Sequence, residues 1–230
     1  MGLNTLTWLN SGNPAGLIQT LTLSNLLQKF PDEELIGLEI GSAYGGGVEV
    51  GAKLWKGRGK FYGYDTFEGH PKDLAVSPDN IEAWCMDFWY TDEAFGREGV
   101  TYEYQRRELD AQGLDNAILV KGRLNEHSFD DIKKAHFVMI DLDIIASTVT
   151  AYTAIKDKIV IGGYLFLHDA LPEGHMPLIN RYVYNRIIPE NRWKTIAESE
   201  KGNLVALERW VNVEGSLNGE PLNLNTKGWI

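Results

Sequence analysis

The length, composition and charge of the chain exclude several broad classes of protein. Its 230 residues include 43% hydrophobic and 23% charged side chains, which are ordinary values for one globular domain and argue against a disordered chain. With 22 basic and 32 acidic residues the formal net charge is −10, so a nucleic-acid-binding surface, which needs a basic face, is not expected. A single cysteine, Cys85, excludes an intrachain disulfide and a multi-cysteine zinc site.

No segment predicts insertion into a membrane or transfer across one. No run approaches the ~18 consecutive apolar residues that a membrane-spanning helix requires. Residues 1–16 lack the basic and apolar regions of a secretory signal. We therefore expect a cytoplasmic protein with neither a membrane nor a nucleic acid as its partner.

Apolar runs alternate with amphipathic segments, which predicts repeated β-α units on a parallel sheet. The predicted helices are residues 17–30, Val48–Trp55, Phe129–Lys134 and Ser147–Val160, the last of them capped by Gly162 and Gly163. The predicted strands are Leu35–Ile40, Phe61–Asp65, Ile118–Lys121, His136–Asp141 and Tyr164–His168, followed by an antiparallel hairpin of Trp193–Glu198 and Leu204–Trp210. Together they indicate a doubly wound, Rossmann-like α/β fold with a seven-stranded, mostly parallel sheet.

A long connection separates the second and third predicted strands. Residues 68–117 are rich in aromatic and acidic side chains, and a connection of this length is usually a functional insert or lid. We expect residues 1–230 to form one domain, with residues 1–34 as an N-terminal helical segment and 68–117 as the lid. The aromatic side chains of the lid fit simple packing and closure over a ligand equally well: Trp84, Phe88, Trp89, Tyr90 and Phe95.

A glycine-rich loop follows the first predicted strand. A strand that ends at glycines and restarts as a helix can bring backbone N–H groups and a helix N-terminus close to a ligand. The pattern from Glu39 to Gly45 is Glu-x-Gly-x-x-x-Gly, which differs from the dinucleotide fingerprint. Asp65, at the end of the next strand, can accept both hydroxyls of a ribose. The alternatives are a purely structural turn for the glycines and a helix N-cap for Asp65.

Polar side chains also follow the fourth and fifth predicted strands. Asp141 and Asp143 come after the fourth strand, and His168 and Asp169 after the fifth. Ligands of open α/β sheets bind beyond the carboxyl ends of the strands, so these side chains should converge. Carboxylates and imidazole suit a divalent ion, which lowers the pKa of a bound hydroxyl. The alternatives are that Asp143 caps the next helix and that His168 packs at a strand end.

Four segments follow one another in an order known from one enzyme family: LEIGSAYGGG, YGYDTFEGHP, IDLDIIAST and GGYLFLHDA. They resemble the macrocin O-methyltransferase family of class I S-adenosylmethionine-dependent enzymes, which methylate sugar hydroxyls and depend on magnesium. The resemblance covers roughly residues 35–171. Its most specific part is the stretch Asp-Thr-Phe-Glu-Gly-x-Pro from Asp65 to Pro71.

The resemblance implies S-adenosyl-L-methionine as cofactor, a divalent metal ion such as Mg²⁺, and a set of site residues. The cofactor-binding residues are Glu39, Gly41, Ser42, Tyr44, Gly45, Asp65, Thr66 and Phe67, with Asp65 at the ribose. The metal ligands are Asp141, His168 and Asp169, and the catalytic residues are Asp141, Asp143 and His168. Where the family has paired aspartates after the fifth strand, this chain has His168-Asp169, which should hold magnesium less strongly. Ile144 stands where catechol-type relatives have a lysine base.

The sequence therefore predicts an O-methyltransferase that methylates a hydroxyl of a small molecule, such as a sugar or a glycosylated natural product. The expected partner is this small-molecule acceptor, and a homo-oligomer is left open. One alternative is a nicotinamide-dependent oxidoreductase. The other is a protein that keeps the cofactor pocket but acts differently or not at all, because the cephalosporin-hydroxylase-like proteins share much of the pattern.

Overall fold

Seven β-strands form the framework of the computed structural model, which describes residues 14–69, 101–171, 176–199 and 203–211. The strands are β1 (Leu35–Ile40), β2 (Gly59–Asp65), β3 (Ala117–Lys121), β4 (Ala135–Ile140), β5 (Ile159–His168), β6 (Trp193–Ser199) and β7 (Leu204–Arg209). The helices are α1 (Pro14–Lys29), α2 (Gly46–Leu54), α3 (Tyr102–Ala111), α4 (Ile145–Ile155) and α5 (Pro177–Tyr182), with a 3-10 turn at Lys156–Lys158 and a π-helical turn at Val183–Ile187. None of these helices has the length and apolar character needed to cross a membrane.

The strands form one mixed sheet in the order β3-β2-β1-β4-β5-β7-β6. Strands β1 to β5 run parallel, and β7 runs antiparallel to both β5 and β6. This arrangement confirms the predicted doubly wound α/β fold and its C-terminal hairpin. The strand order reverses between β1 and β4, which is the point where ligands bind in such sheets.

Alternating side chains of the sheet build a separate hydrophobic core on each face. Val138 and Ile140 of β4 belong to a core that includes α4 and α5. Phe137 and Met139, which alternate with them, belong to the core shared with α1, α2 and α3. Every residue of β4 is buried, as expected for a central strand covered on both faces.

Helix α1 is fastened to the sheet and to α2 by side-chain contacts at two places. Trp55, just after α2, donates its indole N–H to the carbonyl oxygen of Leu23 at 3.0 Å. Lys29 donates to the carbonyl oxygen of Gly162 at 2.9 Å and pairs with Glu208 of β7 at 2.5 Å. The middle and the C-terminal end of α1 therefore have defined positions.

The predicted helix Ser147–Val160 is shorter than expected, and residues 162–163 do not cap it. Helix α4 ends at Ile155, and Ile159 already belongs to β5. Gly162 and Gly163 lie in an irregularity of β5, a usual position for glycine in a strand. Arg209 of β7 donates to the carbonyls of Lys156, Asp157 and Ile159, a contact across the fold that stabilises the chain where the helix gives way to β5.

The prediction of a helix at Phe129–Lys134 is wrong, because this segment forms turns instead. Ser128 Oγ accepts a hydrogen bond from the backbone N–H of Asn125 at 2.8 Å, and Asn125 Oδ1 accepts one from His127 at 2.8 Å. Serine and asparagine side chains that bond to the nearby backbone favour turns over helices. The ring of Phe129 is still buried in the core.

The structure describes only part of the insert predicted at 68–117. Residues 70–100, with Cys85 and the aromatic side chains of the predicted lid, lie outside the described residues. After them, Thr101 begins α3 as its N-cap and accepts a hydrogen bond from the N–H of Tyr104 at 3.3 Å. Leu109 packs this helix into the core. The last third of the insert is thus regular structure.

The buried imidazole of His136 makes the stability of this fold depend on pH. The N–H of Ile36 donates to Nδ1 at 3.0 Å, so the ring proton lies on Nε2, 3.5 Å from Glu33 Oε2. Burial, together with the charge of Lys134, lowers the pKa of His136 below 6.5, against the smaller effect of Glu33. The unfolded chain therefore takes up this proton more readily. The contribution of His136 to stability is fully present above about pH 6.5 and is lost as the pH drops below it.

We expect His136→Asn to flatten the pH dependence of the free energy of unfolding between pH 7 and pH 5. Asparagine keeps an acceptor for the N–H of Ile36 but does not titrate. The slope due to one proton is at most about 1.4 kcal/mol per pH unit. Urea unfolding at several pH values measures it, with His127→Asn as the control because that ring is 75% exposed. An unchanged slope in His136→Asn would contradict the assignment.

Candidate active site

Four parallel strands end at the same level and set four polar or glycine residues side by side. Ile40 of β1 pairs with Tyr64 of β2 and with Ile140 of β4, and Ile140 pairs with Leu167 of β5. The residues that follow these positions are, across the sheet, Asp65, Gly41, Asp141 and His168. The register therefore brings the predicted cofactor and metal residues to one edge, at the reversal of the strand order.

The loop from β1 to α2 depends on glycine at its first position. Gly41 has φ +90°, and a Cβ atom there would lie 1.7 Å from the carbonyl oxygen of Asp141. The N–H of Gly41 donates to the carbonyl oxygen of Tyr64 at 2.8 Å. At the other end of the loop, Gly45 is the N-cap of α2 with φ 72° and contributes no side-chain cap. The loop can therefore approach both β4 and a ligand with bare backbone.

Asp65 holds the glycine loop to the end of β2. Its Oδ2 accepts a hydrogen bond from the N–H of Ala43 at 2.9 Å, and its Oδ1 accepts one from Phe67 at 2.8 Å. The alternative of a helix N-cap is wrong, because a turn follows β2. A carboxylate has about four acceptor sites, so these bonds are compatible with ribose contacts, which stay a prediction.

Thr66 and Phe67 make contacts that shape the turn after β2. Thr66 Oγ1 donates to the carbonyl oxygen of Gly69 at 2.7 Å. Phe67 is 5% exposed and packs edge-on against Tyr102 of α3, with ring centroids 5.4 Å apart. Its φ of 54° is one that non-glycine residues seldom adopt. Cofactor contacts of these two residues stay a prediction.

A cavity of about 220 Å³ lies between the glycine loop and the ends of β4 and β5. Several of the predicted site residues line it: Glu39, Gly41, Ser42, Tyr44, Asp141 and His168. The wall also includes Gln19 of α1, which belongs to none of the sequence motifs. The predicted cofactor and metal residues therefore border one common space.

Glu39 places a buried carboxylate beside this cavity. It is 5% exposed, and its Oε2 has no hydrogen-bond partner among the residues that the structure describes. A Cβ atom at position 47 would lie 2.3 Å from Glu39 Oε1, so Gly47 leaves the room that the carboxylate occupies. Burial, with the charges of Asp141 and Asp65, raises the pKa of Glu39 to about 8. A cationic ligand would favour the ionised form, so the site fits a positively charged cofactor.

Asp141, His168 and Asp169 form a three-residue cluster next to the cavity. His168 Nδ1 lies 3.2 Å from Asp141 Oδ1 and 3.2 Å from Asp169 Oδ2. One candidate ligand atom from each residue lies within 4.8 Å of the others, which fits a single divalent ion. Carboxylate oxygens suit Mg²⁺ and Mn²⁺, whereas imidazole nitrogen suits Fe²⁺ and Zn²⁺. The donor set therefore supports a metal site without selecting magnesium.

His168 and its two carboxylate neighbours balance one another electrostatically. Burial opposes a charge on the ring, but Asp141 and Asp169 outweigh it and raise the pKa of His168 well above 6.5. Burial likewise favours neutral Asp169, yet contacts with His168, Asp143 and Asn203 lower the pKa of Asp169. Asn203 Nδ2 donates to Asp169 Oδ1 at 2.8 Å. A positive ring would offset part of the charge of the two carboxylates, and a bound metal ion would take the place of that positive charge.

Asp143 does not cap α4, which was the structural alternative for this residue. The N-cap of α4 is Ile144, without a side-chain cap. Asp143 has φ 59° and shares a hydrogen bond with Asp169, so it lies next to the three-residue cluster. Ile144, at the position of the lysine base in catechol-type relatives, is 1% exposed and packs in the core.

Sequence reasoning missed Gln105 of α3, which supports the glycine loop. Gln105 is fully buried, and its Nε2 donates to the carbonyl oxygen of Ala43. A Cβ atom at Gly45 would lie 2.5 Å from its Oε1, so this side chain packs directly on the loop. Because Tyr102 of the same helix packs on Phe67, α3 contacts both loops of the site. A glutamine on the buried face of an amphipathic helix is the only signal of this in the sequence.

Solved structures with the same fold include methyltransferases. The O-methyltransferase NovP superposes with a TM-score of 0.64 at 17% identity, over 84% of this chain and 78% of that chain. CalS11, a calicheamicin methyltransferase, superposes with a TM-score of 0.61 at 16% identity, over 89% of this chain and 85% of that chain. An rRNA methylase from Streptococcus thermophilus superposes with a TM-score of 0.52 at 16% identity, over 84% of this chain and 95% of that chain. No protein-family model and no curated protein sequence matches the chain.

These similarities define the class of fold, which is the Rossmann-like α/β fold of class I methyltransferases. At identities of 14–17% they establish the fold alone. Proteins named for acceptors as different as calicheamicin and ribosomal RNA share it, so the fold does not identify an acceptor.

We expect Gln105→Leu to loosen the glycine loop, because leucine fills a similar volume but cannot donate to Ala43. Amide hydrogen exchange of residues 41–47 should become faster, and stability should fall by about 1–3 kcal/mol. Hydrogen-exchange mass spectrometry and urea unfolding measure the two effects. Gln112→Leu, after the same helix, is the matched control, since Gln112 bonds only within its own turn, to Glu108. Loop exchange that is equal in both variants would refute the role of Gln105.

Proposed function

We propose that the chain is an S-adenosylmethionine-dependent O-methyltransferase that acts on a hydroxyl of a small molecule with the help of a divalent ion. One observation carries this proposal: the cavity at the glycine loop directly adjoins the cluster of Asp141, His168 and Asp169. A cofactor and a metal-held acceptor would thus meet at one edge of the sheet. The likeness of fold to NovP, an O-methyltransferase, supports methyl transfer to oxygen.

The proposed acceptor is a sugar or a glycosylated natural product. CalS11, which has the same fold, is described as a TDP-rhamnose 3'-O-methyltransferase. The resemblance of the sequence motifs to the macrocin family points to the same class of acceptor. The net charge of −10 is consistent with this choice, because an acidic chain is poorly suited to a polyphosphate such as RNA.

The chain's own residues would first bind and orient the cofactor. The buried carboxylate of Glu39 is suited to its positive charge, and the bare backbone of residues 41–45 allows close approach. Asp65, already aligned by its bonds to Ala43 and Phe67, would accept the ribose hydroxyls. These groups fit a cationic cofactor, which a nicotinamide dinucleotide with its two phosphates is not.

Asp141, His168 and Asp169 would hold the divalent ion. When bound, such an ion lowers the pKa of a coordinated hydroxyl and fixes its direction. Because a sulfonium methyl group is already activated, orientation of the acceptor oxygen is the main task of the protein. Asp143 lies beside these ligands but outside their set, and its hydrogen bond with Asp169 would orient that ligand.

The identity of the cofactor is tested by a thermal-shift comparison of S-adenosylhomocysteine with NAD. Saturation at about 100 times the dissociation constant stabilises a protein by about 2.7 kcal/mol, which is several degrees for a chain of this size. We expect S-adenosylhomocysteine to give this shift and NAD to give none. Asp65→Asn should reduce it, whereas Asp115→Asn, an exposed carboxylate next to Asn116 before β3, should not. Stabilisation by NAD alone would favour the oxidoreductase.

The metal site is tested by titration of the protein with Mn²⁺ and Mg²⁺ in a calorimeter. We expect one ion per chain, and Asp141→Asn should weaken its binding by at least about tenfold, because even indirect partners of metal ligands contribute that much. Asp115→Asn serves again as the control. Wild-type protein that binds S-adenosylhomocysteine but no divalent ion would remove the metal from the proposal and leave methyl transfer standing.

A further inference from the structure

Gln19 of α1 brings to the wall of the cavity an amide nitrogen that has no acceptor among the other described residues. The residue is 1% exposed and lines the cavity, and its Nε2 has no hydrogen-bond partner in the described part of the chain. A buried donor without an acceptor destabilises a fold. An acceptor brought by a ligand would remove this cost.

Two further buried atoms of the same cavity lack partners among the described residues. They are Oε2 of Glu39, at the end of β1, and Oγ of Ser42, in the glycine loop. Gln19, Glu39 and Ser42 thus come from three separate elements and border one space. The lining also includes three apolar side chains of the sheet, Met139, Phe166 and Leu204. The three polar atoms are one carboxylate oxygen, one amide nitrogen and one hydroxyl group.

This set of polar atoms is complementary to an α-amino acid group. Its ammonium can donate to the carboxylate of Glu39, and its carboxylate can accept from the amide of Gln19 and the hydroxyl of Ser42. A phosphate supplies acceptors for the two donors but no cation for Glu39. A neutral sugar supplies neither charge. The zwitterion satisfies all three groups at once.

We propose that Gln19 is a binding residue that donates a hydrogen bond to the carboxylate of the methionine portion of S-adenosylmethionine. Ser42 is the second donor, and Glu39 receives the ammonium group. This inference rests on the proposed function, since it takes S-adenosylmethionine as the ligand. It gives α1 a direct part in the site, in line with the fastening of this helix at Trp55 and Lys29.

The test compares two ligands that differ only in this carboxylate, S-adenosylmethionine and decarboxylated S-adenosylmethionine. Calorimetric titration of Gln19→Met, which keeps the length of the side chain but cannot donate, is the central measurement. We expect its affinity for S-adenosylmethionine to fall about ten- to a hundredfold, the usual effect of one hydrogen bond to a charged group. Its affinity for the decarboxylated ligand should change less than about twofold.

The matched control is Gln28→Met, the same replacement on the exposed face of the same helix, which should bind both ligands like the wild type. The melting temperature of ligand-free protein supplies a second readout. Gln19→Met should melt at the same temperature as the wild type or higher, because it removes a buried donor without a partner. A glutamine with a purely structural role would give a lower melting temperature.

If Gln19→Met lost affinity for both ligands equally, or kept its affinity for both, the proposed role of Gln19 would be overturned. Failure of the proposed function has a different signature: the wild-type protein itself would bind neither ligand. Selective loss of S-adenosylmethionine binding with an undiminished melting temperature would establish the contact.

Discussion

The site depends first on the parallel register of β1, β2, β4 and β5. Because Ile40 pairs with Ile140, Gly41 lies beside Asp141, and the N–H of Asp141 donates to the carbonyl oxygen of Ile40 at 2.8 Å. A shift of one residue would turn each side chain to the opposite face of the sheet and carry the carboxylates away from the cavity. Glycine at position 41 is required by the same register, since any Cβ would meet the carbonyl of Asp141.

This register brings several carboxylates close together, where they repel one another. The structure reduces this repulsion in two ways. His168 contacts both Asp141 and Asp169, so a positive charge on its ring offsets part of their negative charge. Burial and the charge of Asp141 raise the pKa of Glu39, so the neutral form of this carboxyl limits the repulsion until a cation binds. The negative charge of the chain therefore acts locally: it readies the cavity for a positively charged ligand and the cluster for a metal ion.

Two helices outside the sheet complete the site. Helix α3 packs Gln105 on the glycine loop and Tyr102 on the turn after β2, so the end of the insert stabilises both loops. Helix α1 adds Gln19 to the cavity wall. Neither residue belongs to a motif, and each acts through a single side chain on a buried helix face. The preorganisation of the loops thus depends on contacts between residues far apart in the chain. One example is the hydrogen bond from Gln105 to Ala43, which are 62 positions apart.

Local patterns were enough to predict the strands, their order of appearance and the glycine loop, because apolar periodicity and glycine act over a few residues. They also placed Asp141, His168 and Asp169 together, since parallel strands end at one edge of a sheet. The end of α4, the turns at residues 126–131 and the contacts of Gln19 and Gln105 required the folded chain. Arg209 meets Ile159 across 50 residues, and such contacts leave no periodic trace in the sequence.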